Sequence, residues 1–188
     1  MINNFALAYQ WVKNVAPRQI GEKYYCQTRD IFQSRLDSMV NLLLKNTKIA
    51  ENDIYILSAV AGEIGNNSFD HNLGNWPDIA GVFFAYEFNE KKLTIVLADR
   101  GQGVFKTLKR VKPELKNDQE ALHTAFNEKI SGRAPESRGN GLKFVKESIK
   151  QTKNHLTFIS GTAKVVLNEE MVTSQTEKIN GCLALASN

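Results

Sequence analysis

Glu63, Asn67, Asp70 and His71 follow one another at intervals of four, three and one residue. On a helix that spacing sets a carboxylate, a carboxamide, a second carboxylate and an imidazole near one stripe. A carboxamide beside a carboxylate suits a site for magnesium and a water. Magnesium prefers hard oxygen ligands, keeps several waters, and takes only one or two protein ligands plus substrate phosphates. The Asn67 oxygen would ligate the ion without adding negative charge. Glu63, one turn earlier, would orient and deprotonate an attacking water or hydroxyl. Asp70 suits a water-mediated contact to a bound base. His71 suits either an orienting hydrogen bond to Glu63 or Asp70, or a purely structural role. A polar stripe of this kind is otherwise the wet face of a helix.

Two glycine-bearing segments follow. Asp99-Arg100-Gly101-Gln102-Gly103 comes directly after an apolar β-type run. A carboxylate there would accept a hydrogen bond from the exocyclic amine of adenine and repel the carbonyl of guanine, while Gly101 and Gly103 let backbone approach the base. The alternative is a turn in which two glycines permit positive φ. Gly139-Asn140-Gly141-Leu142 precedes a helical pattern. Exposed N–H groups and the positive end of the helix dipole would hold phosphates there. Arg133, Arg138, Lys143 and Lys146 would add positive field. The alternative is a glycine-rich linker. No Gly-x-x-x-x-Gly-Lys-Ser/Thr run occurs, and the stretch from Gly101 to Lys106 lacks the third glycine of a dinucleotide fingerprint. In this order, the three segments suggest an ATP site.

The elements that must carry them are legible from periodicity. From Arg29 to Lys45, Phe32, Leu36, Met39, Val40 and Leu43 recur at helical spacing. A second helix is expected to be capped by Asp53, to bury Leu57, Val60, Ala61 and Ile64, and to end near His71. Asn72 to Asp78 reads as a loop. Ala80 to Phe88 and Lys92 to Ala98 form a strand hairpin around Asn89-Glu90, with Leu93, Ile95 and Leu97 alternating with Thr94 and Val96. Gly101 to Pro113 is a loop or short helix, and a helix starts near Asp118 with Ala121, Leu122, Ala125, Phe126 and Ile130 on one side. Leu142, Val145 and Ile149 mark another helix. His155 to Ser160, Ala163 to Leu167 and Cys182 to Ala186 are three closing strands. Met1 to Tyr25 stays unassigned, although Trp11, Tyr24 and Tyr25 predict packing. The layout predicts an α+β fold: a two-layer α/β sandwich with a mixed, mostly antiparallel sheet and helices on one face. A single domain over 1–188 is expected, with 1–50 as a helical extension.

The chain has 188 residues, enough for one sizeable core. Its formal charge of +4 comes from scattered lysines and arginines, not a basic cluster, so nucleic acid is not an expected partner. Two cysteines, Cys26 and Cys182, lie far apart in no metal-like spacing. Free thiols in a reducing cytoplasm fit them best. Neither a signal-peptide core nor a run of roughly 20 apolar residues is present, so no membrane partner is expected.

Glu63 to His71 is similar to the Asn-bearing box of the GHKL ATPase superfamily, which includes gyrase, the large heat-shock chaperones, histidine kinases and mismatch-repair ATPases. Asp99-x-Gly101-x-Gly103 resembles that superfamily's adenine-binding box, and Gly139-Asn-Gly141-Leu-Lys-Phe-Val145 its second glycine box. The resemblance spans roughly Asn52 to Ala186. It implies a histidine kinase-like ATPase fold with ATP and Mg²⁺ as ligands. Glu63 would be catalytic and Asn67 the metal ligand. Asn67, Asp70, Asp99, Gly101, Gly103, Gly139, Asn140, Gly141 and Leu142 would contact nucleotide, under a lid of about 105–138. The superfamily often carries a late Gly-Thr pair whose Thr reaches phosphate. Here Gly181-Cys182 stands in that place, and Ser160-Gly161-Thr162 is a competing candidate.

Arg29 to Lys45 contains no phosphoacceptor histidine, and the first histidine of the chain is His71. A stand-alone member is therefore expected: a slow Mg²⁺-dependent ATPase serving as a nucleotide switch for a partner protein. The alternatives are a serine/threonine protein kinase resembling anti-sigma-factor kinases, and a non-catalytic interaction module. Homodimerisation and the role of Met1 to Tyr25 stay open.

Overall fold

The computed structural model describes residues 3–130 and 141–188. Among them are six helices and seven strands, in the order α1 (Asn4–Lys13), β1 (Tyr25–Cys26), α2 (Arg29–Asn46), α3 (Glu51–Asn72), β2 (Val82–Phe88), β3 (Leu93–Asp99), α4 (Gly103–Lys109), α5 (Asp118–Asn127), α6 (Gly141–Lys150), β4 (His155–Ser160), β5 (Ala163–Leu167), β6 (Met171–Gln175) and β7 (Cys182–Ser187). The strands form one sheet in the order β1-β2-β3-β7-β4-β5-β6. The fold is the expected α+β sandwich, and its strand pairs are all antiparallel, with no parallel component.

One sheet face carries the main core. Phe32, Leu36 and Met39 of α2, Leu57 and Ile64 of α3, Leu122 and Phe126 of α5, and Val145 and Ile149 of α6 pack there against Phe84, Ile95, Leu97, Phe158 and Val165. The reverse face is covered in part by α1, which buries Ala8, Trp11 and Val12 against Phe83, Ala85, Val96, Ala98 and Leu183. Helices therefore lie on one face except for α1, an element without a clear apolar period in the sequence. α4, α5 and the loop between them build a smaller cluster from Leu108, Leu115, Ala121 and Ala125.

The alternation of β3 decides where the chemistry points. Leu93, Ile95 and Leu97 face the main core, and Val96 and Ala98 face α1. Continued by parity, Asp99 points into the helix layer and Arg100 toward α1. β7 lies beside this end of β3, with Cys182 opposite Asp99.

α3 begins at Glu51 with Ala50 as its uncapped start; Asp53 sits inside the first turn, where its charge complements the helix dipole, instead of capping. The helix crosses α2 closely because it offers glycines at the crossing. The Phe32 ring lies where a Cβ on Gly65 would stand, and Leu36 approaches Gly62. No helix among the described residues is long and apolar enough to cross a membrane.

Gly65→Ala should destabilise the protein. Alanine gains about 1 kcal/mol in helix propensity. Its methyl group meets a Phe32 ring that is itself fully buried, an overpacking cost of typically 1–3 kcal/mol. Urea unfolding should show a net loss, recovered in part by Gly65→Ala/Phe32→Leu. Unchanged stability of the single variant would contradict the close crossing.

Candidate functional site

At the end of β3 a carboxylate is held out of water. Asp99 is 2% exposed. One oxygen accepts from the Ser68 hydroxyl at 2.7 Å and the other from the Gly101 N–H at 2.7 Å. Burial pushes its pKa above the ordinary carboxylate value, an effect offset in part by Ser68, the Gly101 N–H and the N–H and thiol of Cys182. Gly181 makes this approach possible. With φ of +69°, it lies so close that a Cβ would stand 2.5 Å from the Asp99 Oδ1 and 2.6 Å from the Gly101 nitrogen. The Cys182 thiol is pushed well above its usual value by burial and by the Asp99 charge, so it stays protonated.

The turn after Asp99 is tied to the end of α3. The Asn72 oxygen accepts from the Gln102 N–H at 2.9 Å, while its amide donates to the Ser68 carbonyl at 2.8 Å. Gln102 in turn donates to the His71 carbonyl at 2.6 Å. Asn72 lies where a Cβ on Gly101 would stand. Gly103, with φ of +78°, starts α4, and the Val104 N–H donates to Ser160 Oγ at 3.0 Å. Ser160 passes the bond on to the Gly181 carbonyl at 3.0 Å.

A turn and a half before Asn72, the Asn67 amide donates to Glu63 Oε1 at 3.2 Å. A carboxylate only accepts, so this bond fixes the amide nitrogen toward Glu63 and turns the Asn67 oxygen away from it. The first residue of α6, Gly141, rests on this pair: a Cβ there would collide with the Glu63 carboxylate and stand 2.8 Å from Asn67 Nδ2. Leu142 packs between the main core and the α4–α5 cluster.

The expected stripe on α3 is thus divided. Glu63 and Asn67 face α6. Ser68 and Asn72 face the Asp99 turn. Asp70 faces α2, in an ion pair with Arg29, and Asn66 accepts from Gln33 on the same side at 3.0 Å. The spacing places Asp70 near Asn67, and α2 supplies it with a cation in Arg29. Gly139, Asn140, Arg133 and Arg138 lie outside the described residues. Of the expected lid, 105–130 is described and forms α4 and α5; α5 buries Leu122 and Phe126 completely in the main core.

Gly161 and Thr162 form the β4–β5 turn, and the Thr162 hydroxyl and N–H both donate to Asp118 at 2.8 Å. Gly181-Cys182 lies beside Asp99: Gly181 packs against Asp99 and the Gly101 nitrogen, and Cys182 pairs with Asp99 across β3 and β7. Ser68, Asn72 and Arg100 are not singled out by the motif spacing. The signal for Ser68 and Asn72 was their spacing of four along the sheet-facing side of α3.

Neither a protein-family model nor a curated protein matches this chain.

The raised pKa of Asp99 fixes a sign. A carboxyl whose folded pKa lies above its unfolded value of about 4 costs stability when ionised, and the cost falls away as pH drops through the folded value. Asp99→Asn keeps an acceptor for the Gly101 N–H and removes the buried charge. In urea unfolding, wild type should gain stability relative to Asp99→Asn as pH falls from neutral toward the carboxylate range. A gap that moves the other way would contradict the burial of an ionised Asp99.

Proposed function

We propose that this chain is a Mg²⁺-dependent ATP-binding protein of the GHKL type, a slow ATPase whose nucleotide state is read by a partner protein. The observation that carries the reading is the position of the buried Asp99. Its carboxylate is bonded to α3 through Ser68, and on that same helix Asn67 and Glu63 meet the first turn of α6. A purine end and a phosphate end are thereby joined by one helix.

The donor chemistry fits the ligands. A carboxylate recognises the exocyclic amine of adenine. Asn67 supplies a neutral oxygen donor, with the Glu63 carboxylate one turn away to act on a water, which suits magnesium carried in with phosphates more than a closed protein cage. The N–H groups at the start of α6, with Lys143 on its first turn, supply positive potential for phosphates. Bound magnesium would neutralise phosphate charge. Glu63 would take the proton of a water or hydroxyl.

Gly141 rests directly on Glu63 and Asn67, so loading of the site requires the first turn of α6 to move off α3. A site that must open at every cycle favours slow turnover and a conformational readout. The same Glu63 would serve a serine kinase, and transfer of labelled γ-phosphate to a protein instead of water would identify that reaction.

Calorimetry should find ATP binding strengthened by Mg²⁺. Asn67→Ala should abolish the strengthening, and Mg²⁺ that still tightens binding equally would exclude Asn67 as the ligand. Asp99→Asn loses a hydrogen bond to a charged group, worth about 1.5–3 kcal/mol, and should bind ATP about ten- to a hundredfold more weakly. Equal affinity would refute the adenine assignment. Glu63→Ala should retain binding and lose phosphate release by about a hundredfold or more; unaltered release would remove Glu63 from the chemistry.

A further inference from the structure

Immediately behind Asp99, the buried cation Arg100 grips the opposite side of the molecule. It is 1% exposed. Its Nη1 donates to the carbonyls of Trp11 and Asn14, the latter at 2.9 Å, and its Nη2 reaches the Val15 carbonyl at 3.5 Å. Nε and Nη2 form a fork on Asp78, at 3.0 Å and 2.6 Å. Burial works to raise the Asp78 carboxyl, but the Arg100 hydrogen bonds and charge and the Ile79 N–H outweigh it and hold it below the usual value. The neighbouring strand adds a second grip. Asn180, two residues before Cys182, donates its N–H to the Val12 carbonyl at 2.9 Å and its amide to the Asn14 carbonyl at 3.2 Å.

The Trp11 and Val12 carbonyls lie in the last turn of α1, where a helix end leaves carbonyls without intrahelical partners; Asn14 is the C-cap and Val15 follows it. Capping them from the sheet has a consequence. Asp99 and Arg100 are adjacent, on opposite sides of the sheet end, and the turn that begins at Asp99 is fixed by the bond from the Gly101 N–H to Asp99. The guanidinium cannot shift without breaking charge-assisted bonds to several carbonyls and to Asp78. Movement of the α1 end must therefore either break these bonds or carry Arg100 with it.

We propose that Arg100, backed by Asp78 and Asn180, is a positioning residue for the nucleotide site, and that it couples occupancy of that site to the order of the α1 end on the far sheet face. This rests on the ATP reading above. By reciprocity, nucleotide that steadies Asp99 steadies residues 12–16, and anything that pulls on α1 weakens nucleotide binding.

The test uses the full chain. Hydrogen exchange of residues 12–16 is followed with and without Mg²⁺ and a non-hydrolysable ATP analogue. Calorimetry with the same analogue compares wild type, Arg100→Lys and Asp78→Asn. Wild type should gain protection at 12–16. Both variants should bind roughly 5- to 150-fold more weakly, the ordinary range of site-to-site coupling, and lose that added protection. Asp78→Asn leaves the buried guanidinium in place and decides the matter if Arg100→Lys does not fold. Wild type that binds the analogue with no change at 12–16, or variants that bind as tightly as wild type, would overturn the coupling alone. Wild type that binds no nucleotide would overturn the ATP reading and the coupling with it.

Discussion

A carboxylate taken out of water must be repaid in hydrogen bonds, and Asp99 is where this molecule meets that demand. Burying an ionised carboxyl costs several kcal/mol unless its oxygens are bonded. Ser68 from α3, the Gly101 N–H from the following turn and Cys182 from β7 all converge on it. Each donor fixes an element. Ser68 sets the rotation of α3 against the sheet, Gly101 sets the turn, and Gly181 must lack a side chain for β7 to lie so near.

α3 connects this anchor to everything around it. Its sheet side, Ile64, Ser68 and Asn72, changes from apolar to polar where it reaches the Asp99 turn. Its second side, Glu63 and Asn67, meets α6. Its third, Asn66 and Asp70, holds α2 through Gln33 and Arg29. A single rotation of the helix satisfies all three. That is why its polar residues extend beyond one stripe, and why glycines stand at its crossing with α2.

Much of this was legible in the chain. Strict alternation in β3 located both its buried faces, and extending it by two residues assigns Asp99 and Arg100 to opposite sides. The helices at Arg29, Asp118 and Gly141 begin where their periodicity places them. What escaped had weak local signals. The burial of α1 depends on a sheet face formed by distant strands. β1 has two residues. β6, Met171 to Gln175, is a partly exposed edge strand with few apolar residues. In the site, Asn67 and Glu63 were visible as a helical pair. The turn of Asp70 toward Arg29 was not, because it depends on a second helix whose approach no spacing within α3 encodes. Arg100 passed for a variable position between Asp99 and Gly101, since nothing local reveals that the carbonyls it serves lie more than eighty residues earlier.

One ligand that touches two sides of the C-terminal half of α3, at Asp99 beside Ser68 and at the Glu63–Asn67 pair, is what the proposed function requires. This requirement is tested most directly by a crystal structure of the protein with Mg²⁺ and a non-hydrolysable ATP analogue. The account predicts the purine amine against Asp99, the metal on Asn67, and phosphates against the first turn of α6. Nucleotide bound elsewhere on the surface, or a purine that avoids Asp99, would contradict it.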